Sequence, residues 1–258
     1  MKNLQNSLPI RVVARLDVKK PHVVKGIHLE GLRIVGTPTK LAASYQKQGI
    51  DELVFIDCVA SLYQRNTVFD VIEDVAEQIR IPFTVGGGVK DIKDFDTLLS
   101  KGADKVLINT WAIREMKIVS EAAVRFGSQC VVVSIEAKKV SPDNWLVYID
   151  NGRENTGIDV LAWVRQAEEL GAGEIFVTSI DQDGVRKGYD IALCQHIQDI
   201  VRIPVVISGG AGCIRDIETL IENTSPSGIA LASALHFETI NVAELKQRLH
   251  ALGHTVRL

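Results

Sequence analysis

Apolar and polar positions along this chain fall into two alternating textures. Short, nearly continuous apolar runs rich in β-branched residues recur as RVVARLDV (11–18), ELVFIDC (52–58), FTVGGG (83–88), KVLINT (105–110), VVVSIEA (131–137), EIFVTSID (174–181), VVISGG (205–210) and GIALAS (228–233). Such runs predict strands buried on both faces. Between them, segments such as TVFDVIEDVAEQI and DIKDFDTLLSKG space their apolar residues at helical intervals. Regular βα alternation implies a parallel sheet. Eight units in 258 residues predict a (β/α)₈ TIM barrel, with one domain spanning 1–258. A doubly wound sheet has fewer strands and a Gly-rich turn after the first, and LDVKKPHVVKG supplies no such turn.

The two halves resemble one another. TVGGGVKDIKDFDTLL from Thr84 lines up with VISGGAGCIRDIETLI from Val206, and DELVFID lines up with GEIFVTSID, each at an offset of roughly 120 residues. A barrel of two similar half-barrels follows, and with it a ligand with two similar ends. The stretch from Lys19 to Thr37 and the polar segment SPDNWLVYIDNGRENTG are candidates for mobile cover over the site.

Composition narrows the partners. A net charge of −3, with no Lys/Arg stripe interleaved with aromatics, argues against nucleic acid, so anionic ligands have to be held locally. Cys58, Cys130, Cys194 and Cys213 are scattered, with no metal-ligand spacing to the histidines, which points to a reduced, cytoplasmic setting and to no metal or other cofactor. The opening MKNLQNSLPI lacks the apolar core of a signal peptide, and no run is long enough to span a membrane.

In parallel barrels the chemistry sits at the C-terminal ends of the strands. Gly86 to Gly88 and Gly209 to Gly212 let backbone N–H groups approach an anion, or else simply make tight βα turns; INT (108–110) and LAS (231–233) follow them on neighbouring strands. Matching clusters in both halves favour a substrate with two phosphates. Asp17 and Glu136 end the first and fifth strands, on opposite sides of the mouth, where two carboxylates can divide general acid and base work if their environments separate their pKa values. Asp57, Asp181 and Asp183 also lie at strand ends, as Asx turn residues or ligand contacts, with Asp183 the foremost of them for contact. Lys25 is a phosphate clamp or a solvated loop lysine. At the other end, Arg11, Glu52, Lys105 and Glu174 open four strands and alternate in sign; they are solvated entry residues or, pointing inward together in one layer, a polar plug or gate.

Taken together, LDVKKPHVVKG, DELVFID, FTVGGG, GADKVLINT, RFGSQCVVVSI, NTG, TSIDQDG, SGGAG and ALHF closely resemble the cyclase subunits of imidazole glycerol phosphate synthase, over nearly the whole chain from Arg11. That resemblance implies a glutaminase subunit docked at the N-terminal face of the barrel and ammonia passing through the barrel. At the mouth, the ammonia condenses with a bisphosphorylated ribulosyl precursor, giving imidazole glycerol phosphate and aminoimidazole carboxamide ribotide. It makes Asp17 and Glu136 the catalytic pair and places Gly88, Asn109 and Thr110 at one phosphate. Asp183, Gly184, Gly210, Ala232 and Ser233 fall at the other end of the ligand. Lys25 matches the family's loop lysine, and Arg11, Glu52, Lys105 and Glu174 its ammonia gate. Three positions depart from the pattern: Glu136 stands for an aspartate, Arg15 for a cysteine and Leu107 for a small polar residue. All three face the interior, which keeps open a paralogous ammonia-using amidine-forming synthase of surface-sugar biosynthesis and a non-catalytic barrel that activates a glutaminase. A related two-phosphate sugar isomerase fits less well, because it needs no gate.

Overall fold

A computed structural model describes residues 9–61 and 69–258 of the chain. The first eight residues, and Thr67 and Val68 of the second helical segment, lie outside them. The eight expected strands form: β1 (Arg11–Lys19), β4 (Glu52–Asp57), β5 (Phe83–Gly86), β6 (Lys105–Ile108), β7 (Val131–Ser141), β10 (Glu174–Ser179), β11 (Val205–Ser208) and β12 (Gly228–Leu231). They pair in parallel in chain order, and β10 closes on β7 while β12 closes on β1, so the sheet is a closed (β/α)₈ barrel. Closure removes the open edges that a flat sheet would expose.

Side-chain alternation sorts each strand between two cores. On β1, Val12, Ala14 and Leu16 pack outward beneath the helices, whereas Val13 joins Val54, Leu107, Val132, Phe176, Val206 and Ala230 in an inner apolar layer. The helices α1 (Pro38–Lys47), α2 (Phe69–Gln78), α3 (Ile92–Ser100), α5 (Lys117–Phe126), α6 (Val160–Glu169), α7 (Ile191–Ile200), α8 (Ile214–Asn223) and α10 (Val242–Ala251) supply the outer ring; α4 (Thr110–Arg114) and α9 (Ser233–His236) are short additions. Several start on a side-chain cap that satisfies an orphan backbone donor: Asp91 on α3, Asp159 on α6, Asp190 on α7 and Asn241 on α10. Among the described residues, no helix is long and apolar enough to cross a membrane.

The two segments expected as mobile cover are instead ordered antiparallel hairpins. Lys19 to Thr37 folds as β2 (His22–Ile27) and β3 (Glu30–Gly36), with β2 pairing back on β1 and Asp17 opposite Val24. Its two-residue turn, His28 and Leu29, has positive φ at both positions, which is what a tight hairpin turn demands. The polar segment after β7 forms β8 (Asn144–Ile149) and β9 (Glu154–Asp159), with β8 pairing on an extended β7. Both hairpins continue barrel strands beyond the mouth because HVVKGI and NWLVYI carry strand-type residues that the polar flanks conceal.

Candidate active site

Four charges interlock at the mouth. The inward face of β1 carries Arg15 and Asp17, and Arg15 Nε donates to Asp17 Oδ1 at 2.8 Å. Lys25 reaches the same carboxylate at 3.6 Å and donates to both oxygens of Asp183 at 2.7 Å. Lys25 is therefore not a solvated loop residue: it sits on β2 with only 4% of its surface exposed. The hairpin carries it there and is tied down by the His28 N–H donating to Asp183 O at 2.8 Å and the Leu29 N–H donating to Asp183 Oδ2 at 3.3 Å. Asp57, by contrast, behaves as a turn former, with Oδ1 accepting from the Val59 N–H at 3.1 Å. Asp181 caps strand structure, accepting from the Lys139 N–H at 2.8 Å.

Asp17 and Glu136 sit in opposed electrostatic settings. Burial alone would raise Asp17, but the Arg15 guanidinium and the Lys25 ammonium outweigh it and hold the carboxyl below its ordinary range. Burial also dominates at Glu136, and there it wins: the pKa is raised to about 7, despite the Gly152 N–H, Arg15 and Asn109, which favour the charged form, with Asp17 adding to the rise. The Gly152 N–H donates to Glu136 Oε2 at 2.7 Å from the β8–β9 turn. One acid is thus held ionised and the other poised near neutrality, a separation suited to proton transfer.

Beside Glu136 opens a cleft of about 520 Å³, counting its open mouth, lined by Arg15, Gly88, Leu107, Asn109, Thr110, Ser134 and Asn151 among others. Gly88 has φ +72°, a conformation that favours glycine. Asn109 Oδ1 is buried there with no partner among the described residues. The Thr110 hydroxyl instead engages Asp150, accepting from its N–H at 3.1 Å. The second half repeats the backbone: Asn109 has φ −121° and ψ −85°, and Ala232 has −123° and −82°, each immediately before a short helix. Gly184 and Gly210 of that half lie under close backbone crossings, where an added Cβ would fall 2.3 Å from Gly26 O and 2.2 Å from Gly188 O respectively. Ser233 is buried at the start of α9, and these four residues lie outside the lining of the cleft.

At the opposite end, the four expected floor residues form one ring. Arg11 bridges Glu52 at 2.5 Å and Glu174 at 3.2 Å, and Lys105 bridges the same two at 2.9 and 3.0 Å. Thr84, not foreseen from sequence, completes it by donating to Glu52 at 2.7 Å. Burial would raise Glu52, but Lys105 and Arg11 lower it below its usual range, so it stays charged. The inner apolar layer separates this ring from the mouth.

Sequence reasoning also missed Gly152, Thr178 and Ser208. Arg15 Nη1 donates to Thr178 Oγ1 at 2.8 Å and to Ser208 Oγ at 3.2 Å. The signal was present: single hydroxyls near the ends of apolar runs, and a DNG turn between two alternating segments.

Comparison with known proteins bears on this architecture. The model of a family described as histidine biosynthesis protein matches residues 11–241. A protein from Legionella pneumophila is 52% identical over 207 residues, covering 80% of this chain and 98% of the relative. One from Prochlorococcus marinus (strain MIT 9312) is 46% identical over 92% of this chain and 93% of its own length. One from Bacillus cereus (strain Q1) is 44% identical over 96% of this chain and 98% of its own. All three are named imidazole glycerol phosphate synthase subunit HisF. With a closed eightfold barrel and these relatives spanning most of its length, the chain belongs to the histidine biosynthesis protein family, as a subunit of the HisF type.

Proposed function

We propose that this chain is the ammonia-using cyclase subunit of an imidazole glycerol phosphate synthase, converting a bisphosphorylated ribulosyl precursor and ammonia into imidazole glycerol phosphate and aminoimidazole carboxamide ribotide. The observation that carries this reading is the separation of the two mouth acids, Asp17 held ionised and Glu136 raised to about 7. In it, Glu136 is the proton donor at the reacting centre, because a group titrating near the working pH transfers protons most effectively. Asp17 keeps its charge and fixes Lys25 and Arg15. Gly88, Asn109 and Thr110 receive one phosphate; Gly184, Gly210, Ala232 and Ser233, with Asp183 beside them, serve the other end of the ligand after the hairpin shifts from its closed position over Gly184.

In this reading the ammonia comes from a glutaminase partner, and the two buried cysteines of this chain are no substitute for one. Cys58 is buried with its thiol pushed up to about 12, and Cys194 is buried and raised as well, the reverse of an activated nucleophile. In this reading the partner docks at the face that carries the ring of Arg11, Glu52, Lys105 and Glu174, and ammonia enters the barrel there. A second reading, an amidine-forming synthase acting on a different phosphorylated sugar, draws on the burial of Arg15 within the mouth.

The deciding experiment supplies the bisphosphorylated ribulosyl precursor with an ammonium salt at high pH and follows loss of its absorbance together with product identity. Formation of both products supports the cyclase. A folded chain that leaves the precursor unchanged rules it out.

A further inference from the structure

Arg15 is an unusual group to find inside a barrel. It is 2% exposed, and its guanidinium reaches from β1 across the interior to Thr178 on β10 and Ser208 on β11, above the Phe176 ring at 5.9 Å from the centroid. Burying a guanidinium costs several kcal/mol unless every donor is matched. Nε is matched by Asp17, and Nη1 by the two hydroxyls. The hydrogen bonds of Arg15 within the described residues run from Nε and Nη1 and leave Nη2 toward the cleft that Arg15 lines together with Glu136, where Asn109 Oδ1 is buried without a partner. Two unmatched polar groups therefore border one cavity, a donor and an acceptor.

Charge decides what kind of atom the donor takes. Arg15 and Lys25 are already balanced by Asp17 and Asp183, and Glu136 stands beside them as a further acid. A carboxylate or phosphate at Nη2 would add an unbalanced negative charge beside these acids. A neutral carbonyl oxygen accepts the hydrogen bond without that cost.

We infer that Arg15 is a specificity-determining substrate contact whose Nη2 receives the ketone oxygen of a phosphorylated ketose lying between the Gly88–Asn109 cradle and Glu136. This rests on the cyclase reading for the ribulosyl class of substrate. The contact aligns the carbonyl with Glu136 and selects against ligands that lack the oxygen, since such a ligand would fill the cleft and leave Nη2 cut off from water without an acceptor.

The test is calorimetric binding of three probes to the full chain and to Arg15→Lys. The probes are ribulose 5-phosphate, 2-deoxyribitol 5-phosphate, which lacks the C2 oxygen, and inorganic phosphate. The wild-type chain is expected to prefer ribulose 5-phosphate by about tenfold or more, the worth of one charge-assisted hydrogen bond. Lysine keeps the charge for Asp17 but has no second arm, so Arg15→Lys is expected to reduce the preference to within about threefold while leaving the affinity for phosphate unchanged. A wild-type chain that binds both sugars equally overturns the inference without need of a variant, and so does an undiminished preference in Arg15→Lys. Preference for the ketose in a chain that does not turn over the ribulosyl precursor upholds the Arg15 contact and sinks the cyclase reading instead.

Discussion

Glu136 ends an apolar strand on a carboxyl that is 8% exposed and receives a backbone N–H from the neighbouring hairpin. Glu136→Gln keeps its volume and removes the proton, so ammonium-dependent turnover is expected to fall by about 10²-fold or more, with the fold intact by circular dichroism. Turnover that survives would make Glu136 a structural acceptor for Gly152 and nothing else. A raised acid also leaves a pH signature. The folded state binds the Glu136 proton more tightly than the unfolded chain, so this stabilisation is complete below the ordinary glutamate range, near pH 4.5, and is lost as pH rises through about 7. Glu136→Gln does not titrate; its melting temperature is therefore expected to gain on the wild type between pH 5 and pH 8. Turnover at constant free ammonia is expected to decline through the same region as the donor loses its proton. A melting-temperature difference independent of pH would place Glu136 in a far wetter setting. The position of the acid was legible in sequence, because a charge closing a β-branched run has few reasons to be there. Its raised pKa was not, since that comes from burial beside the β8–β9 hairpin, a segment whose polar residues read as mobile cover, and it stands in spite of the Gly152 N–H.

The β2–β3 hairpin is where sequence and structure diverge most. Lys19 to Thr37 is rich in polar and charged residues, which read as mobile cover, but the alternation within HVVKGI and the extended backbone leaving β1 let the segment pair antiparallel with β1 itself. The pairing is local, with Lys19 opposite His22 across Lys20 and Pro21, so the signal lay in the alternation of HVVKGI beneath its charged flanks. What holds the hairpin over the mouth is concentrated at Asp183, which accepts from Lys25 and from the His28 and Leu29 backbone. Asp183→Asn removes the buried counter-charge and leaves Lys25 with only Asp17, at 3.6 Å. Removing one partner of a buried pair costs about 3–5 kcal/mol, and a surface hairpin can escape that cost by opening. Amide hydrogen exchange across residues 22–36 is therefore expected to accelerate by about tenfold or more, while the barrel strands stay protected. Unchanged protection would mean that the β1 ladder alone holds the hairpin.

At the scale of the whole barrel, the sequence pattern was most informative, because each strand and helix declares its own period and eight repeats of one unit leave few ways to close. The internal repeat survives in the backbone, where Asn109 and Ala232 share nearly the same unusual dihedrals although their side chains differ. The halves have diverged in accessibility: the cleft opens onto Gly88 and Asn109, while in the second half Gly184 lies beneath the hairpin backbone at Gly26 and Gly210 beneath that of Gly188. The floor was half readable: four charges of alternating sign at strand starts allow either solvated entry residues or an inward ring, and the structure has the ring. In the ring, each acid touches both bases, so no single opening movement frees a path without breaking at least two ion pairs. Lys105→Glu would set three acids against Arg11 alone, and the expected result depends on the route ammonia takes. On the proposed reading, ammonia released by a glutaminase at the floor crosses the ring, whereas ammonia from bulk solvent enters at the mouth. Glutamine-dependent turnover in the complex is therefore expected to fall by at least about tenfold, with ammonium-dependent turnover of the same preparation changing by less than about threefold, because an unpaired acid in the ring obstructs only the floor route. Equal losses in the two assays would show that the ring holds the barrel together and does not control passage.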